Sequence, residues 1–343
     1  MHSVLCYFDS YFKPGTAAPL CNHSAGQIAS HLYGILSELG PVTYLDAEAR
    51  PTGLDADLFV GHFWNYLEVS KRNRFKKKIA FYTVSDPDRR RLLLYSLAER
   101  FGVPVPGWDF PPAHFDHAGT MRDADLVLLV GNSFTAETFL AEWRPKLRSL
   151  NYSVDNSLYT SAAAAPKRND FCYVATQCGL RKGFMDVLMT WSGLNASGSS
   201  LHVIGGIEAP WDDLLARFNN GSIFYHGWID SHSSAYSDLI GRCKFAYIPT
   251  YEEGQMGSLL EAMHCGCVPI TTRASGIDDR VLEHCLLIEP LNIAQQRATI
   301  CDAMSWPEER YRRRQQSIAA SLSAFQNWNV FAGGVKSALA ELF

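Results

Sequence analysis

In the stretch Tyr251-Glu252-Glu253-Gly254-Gln255-Met256-Gly257-Ser258-Leu259-Leu260-Glu261-Ala262-Met263, the carboxylates of Glu253 and Glu261 lie eight positions apart across a loop with two glycines. An apolar segment precedes the stretch and another follows it. Because Gly254 and Gly257 lack a Cβ, the backbone can turn sharply and present bare N–H groups. The pattern predicts a strand, a ligand-binding loop and then a helix that begins near Ser258.

The start of this helix favours a bound anion. Its first N–H groups have no partner within the helix, and the positive end of the helix dipole lies there. Glu253 and Glu261 could then accept hydrogen bonds from sugar hydroxyls on either side of a phosphate. A structural alternative is open as well, because Ser258-Leu259-Leu260-Glu261 fits a capping box in which Glu261 only caps its own helix.

Short apolar segments alternate with helical patterns along the chain. The strands are predicted at residues 3–8, 41–45, 57–61, 78–84 and 125–130, and again at 171–175, 201–204, 223–225, 245–249 and 268–272. Alternating strands and helices predict parallel sheets with right-handed crossovers, in which ligands bind beyond the carboxyl ends of the strands. No Gly-x-Gly-x-x-Gly follows the first strand, so a nicotinamide dehydrogenase is disfavoured.

The composition is that of a folded globular protein. A chain of 343 residues is long enough for two domains, and 47% of the residues are hydrophobic. The net charge of -4 disfavours a general nucleic-acid binder. The sequence has no apolar run of membrane-spanning length and no basic start of a secretory signal, and its nine cysteines have no regular spacing. These features predict a cytoplasmic protein with reduced thiols.

From about Asn151 to Trp328 the chain resembles the carboxyl-terminal half of retaining GT-B glycosyltransferases of family four, also called glycosyltransferase group 1. That family pairs two glutamates across seven residues, ends the motif in Glu-Ala-Met and continues through a Cys-Gly segment and a proline into a strand. Six matches occur here in the family order. They are Leu150-Asn151-Tyr152-Ser153-Val154-Asp155, Lys182-Gly183-Phe184, His226-Gly227-Trp228, the stretch from Glu253 to Ile270, Ala274-Ser275-Gly276-Ile277-Asp278, and Trp328.

The resemblance implies an α/β protein with the GT-B fold. This fold has two Rossmann-like domains whose parallel sheets face a central cleft, and a C-terminal helix that crosses back to the first domain. We expect an acceptor-side domain at residues 1–160, a nucleotide-sugar-binding domain at 166–326 and the returning helix at 327–343. The alanine-rich segment 161–170 is the predicted linker.

The resemblance also implies the donor site. Lys182 would contact the diphosphate, Glu253 would face the donor sugar or help stabilise the transition state, and Glu261 would bind the ribose. The sugar and the diphosphate would be lined by the backbone groups of Gly254, Gln255, Met256, Gly257 and Ser258. The base would be bordered by Gly227 and Trp228, which follow a predicted strand.

One cation of the family pattern is missing. The family usually has an arginine six residues before the lysine, and that position is Thr176 here. Arg181 is a candidate to supply the charge instead. The alternative is that Arg181 and Lys182 are an ordinary solvated basic helix start.

The acceptor-side residues match less fully. Asn22-His23-Ser24-Ala25-Gly26 takes the place of the family's first glycine loop, so His23 and Gly26 are candidates. His62 falls near a family histidine, although a structural role is an alternative. Asp86 follows a strand where the family often has His-Asp, with Ser85 in place of the histidine.

The implied activity is retaining transfer of a sugar from a UDP- or GDP-linked donor to a glycan, a lipid-linked acceptor or another hydroxyl. No metal and no other cofactor is expected. Asp86-Pro87-Asp88 fits the Asp-x-Asp metal motif of the GT-A fold, but similar pairs occur twice more in the chain, which indicates chance. Two alternatives stay open: a catalytically inactive nucleotide- or carbohydrate-binding protein, favoured by Thr176, and a nucleotide-sugar epimerase or phosphorylase on the same fold.

Residues Lys71 to Lys78 place six positive charges within eight positions. Each could contribute about 1 kcal/mol on an anionic bilayer, and Phe75 could insert. A solvated surface is the structural alternative. The hypothesis that follows is a cytoplasmic protein with peripheral contact at the inner face of the membrane and no nucleic-acid partner.

Overall fold

The computed structural model describes residues 1–15, 24–154, 157–164, 166–194 and 198–343. The chain forms two compact units. The first contains Met1–Leu92, Pro106–Val154 and Gln326–Phe343, and the second contains Leu93–Val105 and Asp155–Phe325. The amino-terminal part of the first unit thus ends at Val154, a few residues before the expected boundary at 160. The second unit also includes the segment Leu93–Val105, which was expected in the first domain.

The first unit is built on a parallel sheet of six strands in the order β2-β1-β3-β4-β5-β6. The strands are β1 (Ser3–Cys6), β2 (Val42–Leu45), β3 (Asp55–His62), β4 (Arg74–Tyr82), β5 (Leu126–Val130) and β6 (Leu147–Leu150). The helices are α1 (Ser24–Ser37), α2 (Tyr66–Arg72), α3 (Pro87–Phe101), α4 (His117–Asp123), α5 (Ser133–Glu137) and α14 (Trp328–Ala340), and α3 continues into the second unit.

The last helix returns to the first unit. α14 packs against α1 and β6. The ring of Trp328 stacks on His31 with 3.9 Å between ring centroids, and Lys336 pairs with Glu38 at 2.6 Å. The predicted C-terminal helix of the first domain is therefore present.

The second unit has its own parallel sheet of six strands, in the order β12-β11-β10-β7-β8-β9. The strands are β7 (Arg168–Gln177), β8 (Leu201–Gly206), β9 (Ile223–Tyr225), β10 (Cys243–Ile248), β11 (Val268–Thr271) and β12 (Leu286–Leu287). The helices are α6 (Ser157–Ala163), α7 (Phe184–Ser192), α8 (Trp211–Phe218), α9 (Ser234–Gly241), α10 (Gly257–His264), α11 (Asp279–Leu282), α12 (Ile293–Met304) and α13 (Glu308–Phe325).

The predicted α/β fold with two parallel sheets is confirmed. The strands β1, β5 and β11 are buried along their whole length, which explains their continuous apolar sequences. The predicted linker 161–170 is wrong in its bounds, because α6 extends to Ala163 and β7 begins at Arg168. In the second sheet the chain order reverses between β7 and β10, so ligand-binding loops are expected after these two strands.

The basic run at 71–78 is largely paired with acidic side chains. Carboxylates lie within 3.1 Å of four of its cations, in the pairs Arg72–Glu68, Arg74–Asp55, Lys76–Asp57 and Lys78–Asp123. Phe75 stacks on the core ring of Phe59 with 4.7 Å between centroids, so it is not available for insertion into a bilayer. Within the described part of the chain, no helix combines the length and the apolar character that crossing a membrane requires.

Candidate functional site

The loop after β10 leads directly into α10. The helix begins at Gly257, one residue earlier than predicted, and its N-cap Met256 makes no side-chain capping bond. The Ser258 hydroxyl donates to the carbonyl of Val174 at 3.1 Å, and the Glu261 carboxylate accepts a hydrogen bond from the Tyr236 hydroxyl. The capping-box alternative is therefore wrong, because neither side chain caps the helix.

Glu253 lies against the two neighbouring cations Arg181 and Lys182. Its Oε1 is 2.6 Å from Arg181 Nη1 and 2.6 Å from Lys182 Nζ. The side chain of Glu253 is 8% exposed, and those of Arg181 and Lys182 are 16% and 14% exposed. The solvated-surface alternative for this pair is therefore wrong, and the structure brings three of the predicted site residues together.

Backbone contacts hold the two loops of this cluster together. The carbonyl of Arg181 accepts hydrogen bonds from the Tyr251 N–H at 2.9 Å and from the Thr250 hydroxyl at 3.1 Å. Gly183 follows with φ of 69°, and a Cβ at this position would lie 2.0 Å from the carbonyl oxygen of Pro249. Only glycine allows the loop before α7 to approach the loop after β10 this closely.

Replacing Gly183 with alanine is expected to lower the free energy of unfolding by roughly 2–4 kcal/mol, because the new methyl group meets backbone that cannot give way. Gly102 is a matched control: it has φ of +64, and a Cβ added there would meet no atom within 4 Å. Gly102→Ala should cost only the strain of the left-handed backbone, about 1 kcal/mol. Urea denaturation of both variants measures the difference, and equal losses would contradict the packing argument.

A second glycine shapes the other side of the loop. Gly276 has φ of +68, and a Cβ there would lie 1.4 Å from the carbonyl oxygen of Gly254. The Met256 N–H donates to the Ser275 carbonyl at 2.9 Å. The segment Ala274-Ser275-Gly276-Ile277-Asp278 is thus packed directly on the loop that contains the predicted backbone ligands. The side chains of Gln255 and Met256 are buried, and the predicted role of their backbone groups stays a prediction.

The charge state of Glu261 is set by competing effects. Burial raises the pKa of its carboxyl, while the hydrogen bond from Tyr236 and the charges of His232 and Lys182 lower it. The net result is a raised pKa. Tyr236, on α9, is 25 residues away in sequence, and no sequence signal identified it as a partner of Glu261.

A buried acidic network supports the same loop. Asp186 on α7 is fully buried and accepts hydrogen bonds from the Tyr251 hydroxyl at 2.5 Å, from Gln296 Nε2 at 2.7 Å and from the Leu291 N–H at 2.7 Å. Burial raises the pKa of Asp186 in spite of these donors. Asp186 was not predicted from the sequence. Its position four residues after Lys182 and its link to Tyr251 connect the two loops that form the cluster.

Three further donor-site candidates lie at the ends of β7 and β9. Gly227 has φ of 72°, and its carbonyl accepts a hydrogen bond from the Gly205 N–H at 2.9 Å. Trp228 is 64% exposed, so it is not a core residue. Thr176 is exposed near the end of β7. Their predicted roles stay predictions.

In the first unit, Asp86 caps the start of α3. Its Oδ1 accepts hydrogen bonds from the N–H groups of Asp88 and Arg89 at 3.0 Å, and its Oδ2 lies 3.1 Å from His117 Nε2. Burial alone would raise the pKa of Asp86, but the hydrogen bonds from His117, Arg89 and Asp88 outweigh it and hold the pKa below its usual value. The Asp86 carboxylate is therefore ionised at neutral pH.

A histidine does reach Asp86, but from a different element than in the family. Ser85 replaces the family histidine, and His117 comes from α4, with its Nδ1 3.0 Å from the Tyr82 hydroxyl. Asp86, Asp88 and His117 place one ligand atom each within 4.8 Å of one another, the spacing of a group that could hold a metal ion. His117 was not predicted from the sequence, because it lies 31 residues after Asp86.

The remaining acceptor-side candidates have mixed outcomes. His23 and Asn22 lie outside the described residues. Gly26 lies in the first turn of α1 and is buried, so its predicted position in a loop before the helix is wrong. His62 is buried at the end of β3, with ring centroids 4.6 Å from Phe8 and 5.4 Å from Tyr7.

His62 makes stability depend on pH. Burial lowers its pKa to about 3 from 6.5, so the unfolded chain binds this proton first as the pH falls. The stabilisation by neutral His62 is present above pH 6.5 and is lost progressively as the pH falls towards 3. Between pH 7.5 and 5.5 the loss should be about 1.4 kcal/mol. His62→Phe keeps an aromatic ring but has no titrating group. Denaturation at pH 7.5 and 5.5 should therefore show that the free energy of unfolding changes by about 1.4 kcal/mol less in this variant than in the wild type. An unchanged dependence would contradict the assignment.

Comparison with known proteins identifies the second unit. Residues 168–305 match the sequence profile of the Glycosyl transferases group 1 family. This segment is a group 1 glycosyltransferase domain. It contains Arg181, Lys182, Glu253 and Glu261, four of the residues predicted to bind the donor. A search of curated protein sequences finds no significant match.

Solved structures share the fold over the full chain. A sucrose-phosphate synthase from Thermosynechococcus elongatus is 16% identical, with a TM-score of 0.71 and coverage of 100% of this chain and 99% of that chain. A trehalose-phosphate synthase from Burkholderia xenovorans is 12% identical, with a TM-score of 0.65 and 99% coverage of both chains. The glycosyltransferase WaaG is 14% identical, with a TM-score of 0.64 and 98% coverage of both chains. The group 1 domain therefore belongs to a protein with the GT-B fold.

Proposed function

We propose that this protein is a retaining glycosyltransferase that moves a sugar from a nucleotide diphosphate sugar to a hydroxyl acceptor without a metal ion. The observation that carries the proposal is the cluster of Arg181, Lys182 and Glu253 in the group 1 domain, formed by the loops that follow β7 and β10. Ligands of open parallel sheets bind where the strand order reverses, and these two loops flank that point.

The donor site has the charges that the reaction needs. As the glycosidic bond breaks, negative charge grows on the departing diphosphate, and fixed cations and helix dipoles stabilise it. Lys182 supplies a mostly buried ammonium group. The backbone from Gly254 to Ser258 turns into the start of α10, where N–H groups and the helix dipole favour phosphate.

Glu253 and Glu261 accept hydrogen bonds from the hydroxyls of the donor. An ionised carboxylate only accepts hydrogen bonds, which suits hydroxyl donors. Glu261 binds the ribose hydroxyls, and Tyr236 holds its carboxylate in place. Glu253 faces the donor sugar, and Gly227 and Trp228 border the base.

The acceptor is bound by the first unit. Asp86 is ionised and positions the acceptor or the sugar, with His62, Gly26 and His23 as the other acceptor-side residues. Retention follows if the acceptor hydroxyl attacks from the side of the leaving group and the departing phosphate takes its proton. A trehalose-6-phosphate synthase of similar fold is described in connection with glycosyl transfer with retention, which supports retention as the outcome proposed here.

The descriptions of the structural neighbours indicate which donors and acceptors to test first. The trehalose-phosphate synthase from Burkholderia xenovorans is described as UDP-forming and is bound to glucose-6-phosphate, and WaaG is described as involved in lipopolysaccharide biosynthesis. We propose a UDP- or GDP-linked donor and a sugar, glycan or lipid-linked acceptor, with the protein located in the cytoplasm. The paired charges of the 71–78 run do not favour contact with an anionic membrane.

A ligand screen tests the proposal. UDP, GDP and their sugar derivatives are added in a thermal-shift experiment, followed by transfer assays with sugar phosphates and glycans as acceptors. A nucleotide at 100 times its dissociation constant should stabilise the protein by about 2.7 kcal/mol. Binding without transfer would favour a catalytically inactive binding protein, and turnover of the donor without an acceptor would favour an epimerase. Absence of binding to every nucleotide would contradict the proposal.

A further inference from the structure

A buried carboxylate beside the loop after β10, residues 249–256, accepts hydrogen bonds on both of its oxygens. Asp186, in the first turn of α7, is fully buried, and its Oδ1 accepts from the Tyr251 hydroxyl at 2.5 Å. Its Oδ2 accepts from the Leu291 N–H and from Gln296 Nε2, each at 2.7 Å. One side chain on α7 thus joins three further parts of the group 1 domain: the loop after β10, the turn before α12, and α12 itself.

The two groups that face Asp186 Oδ2 can only donate. A backbone N–H such as that of Leu291 has no acceptor atom. The amide of Gln296 is oriented by two other contacts, because its Oε1 accepts from the Tyr247 hydroxyl at 2.5 Å and its Nε2 also donates to the Glu289 carbonyl at 2.9 Å. The side chain at position 186 must therefore accept on this side, and a carboxylate forms stronger hydrogen bonds than a neutral acceptor does.

The turn before α12 has a backbone conformation that leucine rarely adopts. Among the residues that the structure describes, Leu291 is the only one other than glycine with φ in the left-handed region, at 65°. Such a conformation crowds the Cβ and persists only where the surrounding structure holds it. The hydrogen bond from its N–H to Asp186 is one contact that does so. Because backbone strain of this kind concentrates at functional sites, it favours a role of Asp186 beyond the stability of the domain.

Tyr251 connects Asp186 to the loop after β10. Its N–H donates to the Arg181 carbonyl at 2.9 Å and its hydroxyl donates to Asp186, so both its backbone and its side chain are fixed. Tyr251 is only 5% exposed, so water cannot easily replace Asp186 as its partner. Glu253 follows two positions later in the same loop. The position of the Glu253 backbone therefore depends on the hydrogen bond between Tyr251 and Asp186.

We propose that Asp186 is a positioning residue for sugar transfer, which holds the Tyr251 side chain and thereby sets the position of Glu253. The inference rests on the proposed function and adds to it a buried residue that acts through Tyr251. The turn before α12 belongs to the same support, because it bonds the second oxygen of the carboxylate. A displacement of about 1 Å at a reacting group can lower a rate by about 100-fold, even when the mutated residue lies far from the reaction.

Tyr251→Phe tests the inference, because it removes one hydroxyl and keeps the buried ring. We expect kcat for transfer to fall by about 10- to 100-fold. The Kd of UDP or GDP should change much less, because Glu261 lies on α10, outside the segment that Tyr251 holds. Asp186→Asn, which loses the charge and one of the two accepting oxygens, should change kcat and Kd in the same way.

Tyr311→Phe is the matched control. The Tyr311 hydroxyl donates to the Gly266 carbonyl at 2.6 Å, and the residue is 1% exposed, so the same buried hydroxyl is lost beyond the other end of α10. This variant should leave kcat unchanged. Hydrogen exchange gives a readout that needs no turnover: the amides of residues 250–254 should exchange faster in Tyr251→Phe and Asp186→Asn, and at the wild-type rate in Tyr311→Phe.

The outcomes separate this inference from the proposed function. Wild-type kcat in Tyr251→Phe, an equal fall of kcat in Tyr311→Phe, or unchanged exchange of residues 250–254 in Tyr251→Phe would overturn the positioning role. Tyr251→Phe gives this answer even if Asp186→Asn does not fold. A wild-type protein that transfers no sugar from any donor would instead contradict the proposed function, and the exchange rates would still show whether Asp186 holds the loop.

Discussion

Lys182→Ala is expected to lower kcat for sugar transfer by about 100- to 1000-fold, the range seen when one preorganised group that stabilises transition-state charge is removed. The ammonium group lies 2.6 Å from Glu253 and is mostly buried, so water cannot replace it efficiently. The loss should fall on kcat more than on KM, because negative charge on the diphosphate grows only as the sugar leaves. Steady-state kinetics with the donor found in the ligand screen measures both values.

A matched control variant separates a role of Lys182 in the reaction from the general effect of removing a mostly buried lysine. Lys244 pairs with Glu308 at 3.0 Å and is 13% exposed, so it resembles Lys182 in burial and pairing but lies on β10 away from the loops of the site. Lys244→Ala should leave kcat unchanged. Equal kinetic effects in the two variants would assign the loss to stability and contradict a role of Lys182 in the reaction.

Glu261→Ala is expected to weaken binding of the nucleotide by about 10- to 100-fold, because hydrogen bonds to a charged group contribute about 1.5–3 kcal/mol each. Calorimetric titration with UDP or GDP measures the change. Pyrophosphate, which has no ribose, should bind as in the wild type. A loss of affinity for pyrophosphate of similar size would contradict the assignment of Glu261 to the ribose.

Tyr236→Phe tests the contribution of the Tyr236 hydroxyl separately from that of the Glu261 carboxylate. This variant keeps Glu261 but removes the hydroxyl that donates to it, so the pKa of Glu261 should rise further. Nucleotide binding should then weaken at low pH and recover as the pH rises and the carboxyl ionises. No pH dependence of binding in this variant would contradict the proposal that the ionised form of Glu261 is the one that binds.

The sequence was sufficient for the fold and for the local part of the site. The apolar strand before Glu253, the two glycines of the loop and the helix after them are all local patterns, and the structure has the helix start within one residue of the predicted position. The alternation of strands and helices likewise predicted the two parallel sheets. Local patterns succeed where the backbone conformation depends on residues within one or two turns.

Contacts between distant residues could not be predicted in the same way. Ser258-Leu259-Leu260-Glu261 is a good capping box by sequence, but Tyr236 from another helix competes successfully for the Glu261 carboxylate. Phe75, in the middle of a basic run, packs on Phe59 because β4 lies in the interior of the sheet. His117 reaches Asp86 only because α4 packs near β4.

The convergence of Arg181 and Lys182 shows the same limit within the site. Spacing alone favours a solvated basic pair, since adjacent side chains diverge. The contact of Gly183 with Pro249 and the hydrogen bonds of the Arg181 carbonyl set the backbone direction that brings both cations to Glu253. Tertiary structure, and not the pattern of residue types, therefore determines this part of the site.

A crystal structure of the protein with UDP or GDP tests the central proposal most directly. We expect the diphosphate within about 3 Å of Lys182 Nζ and the Arg181 guanidinium, and the ribose hydroxyls within the same distance of the Glu261 carboxylate. A nucleotide bound elsewhere would contradict the account.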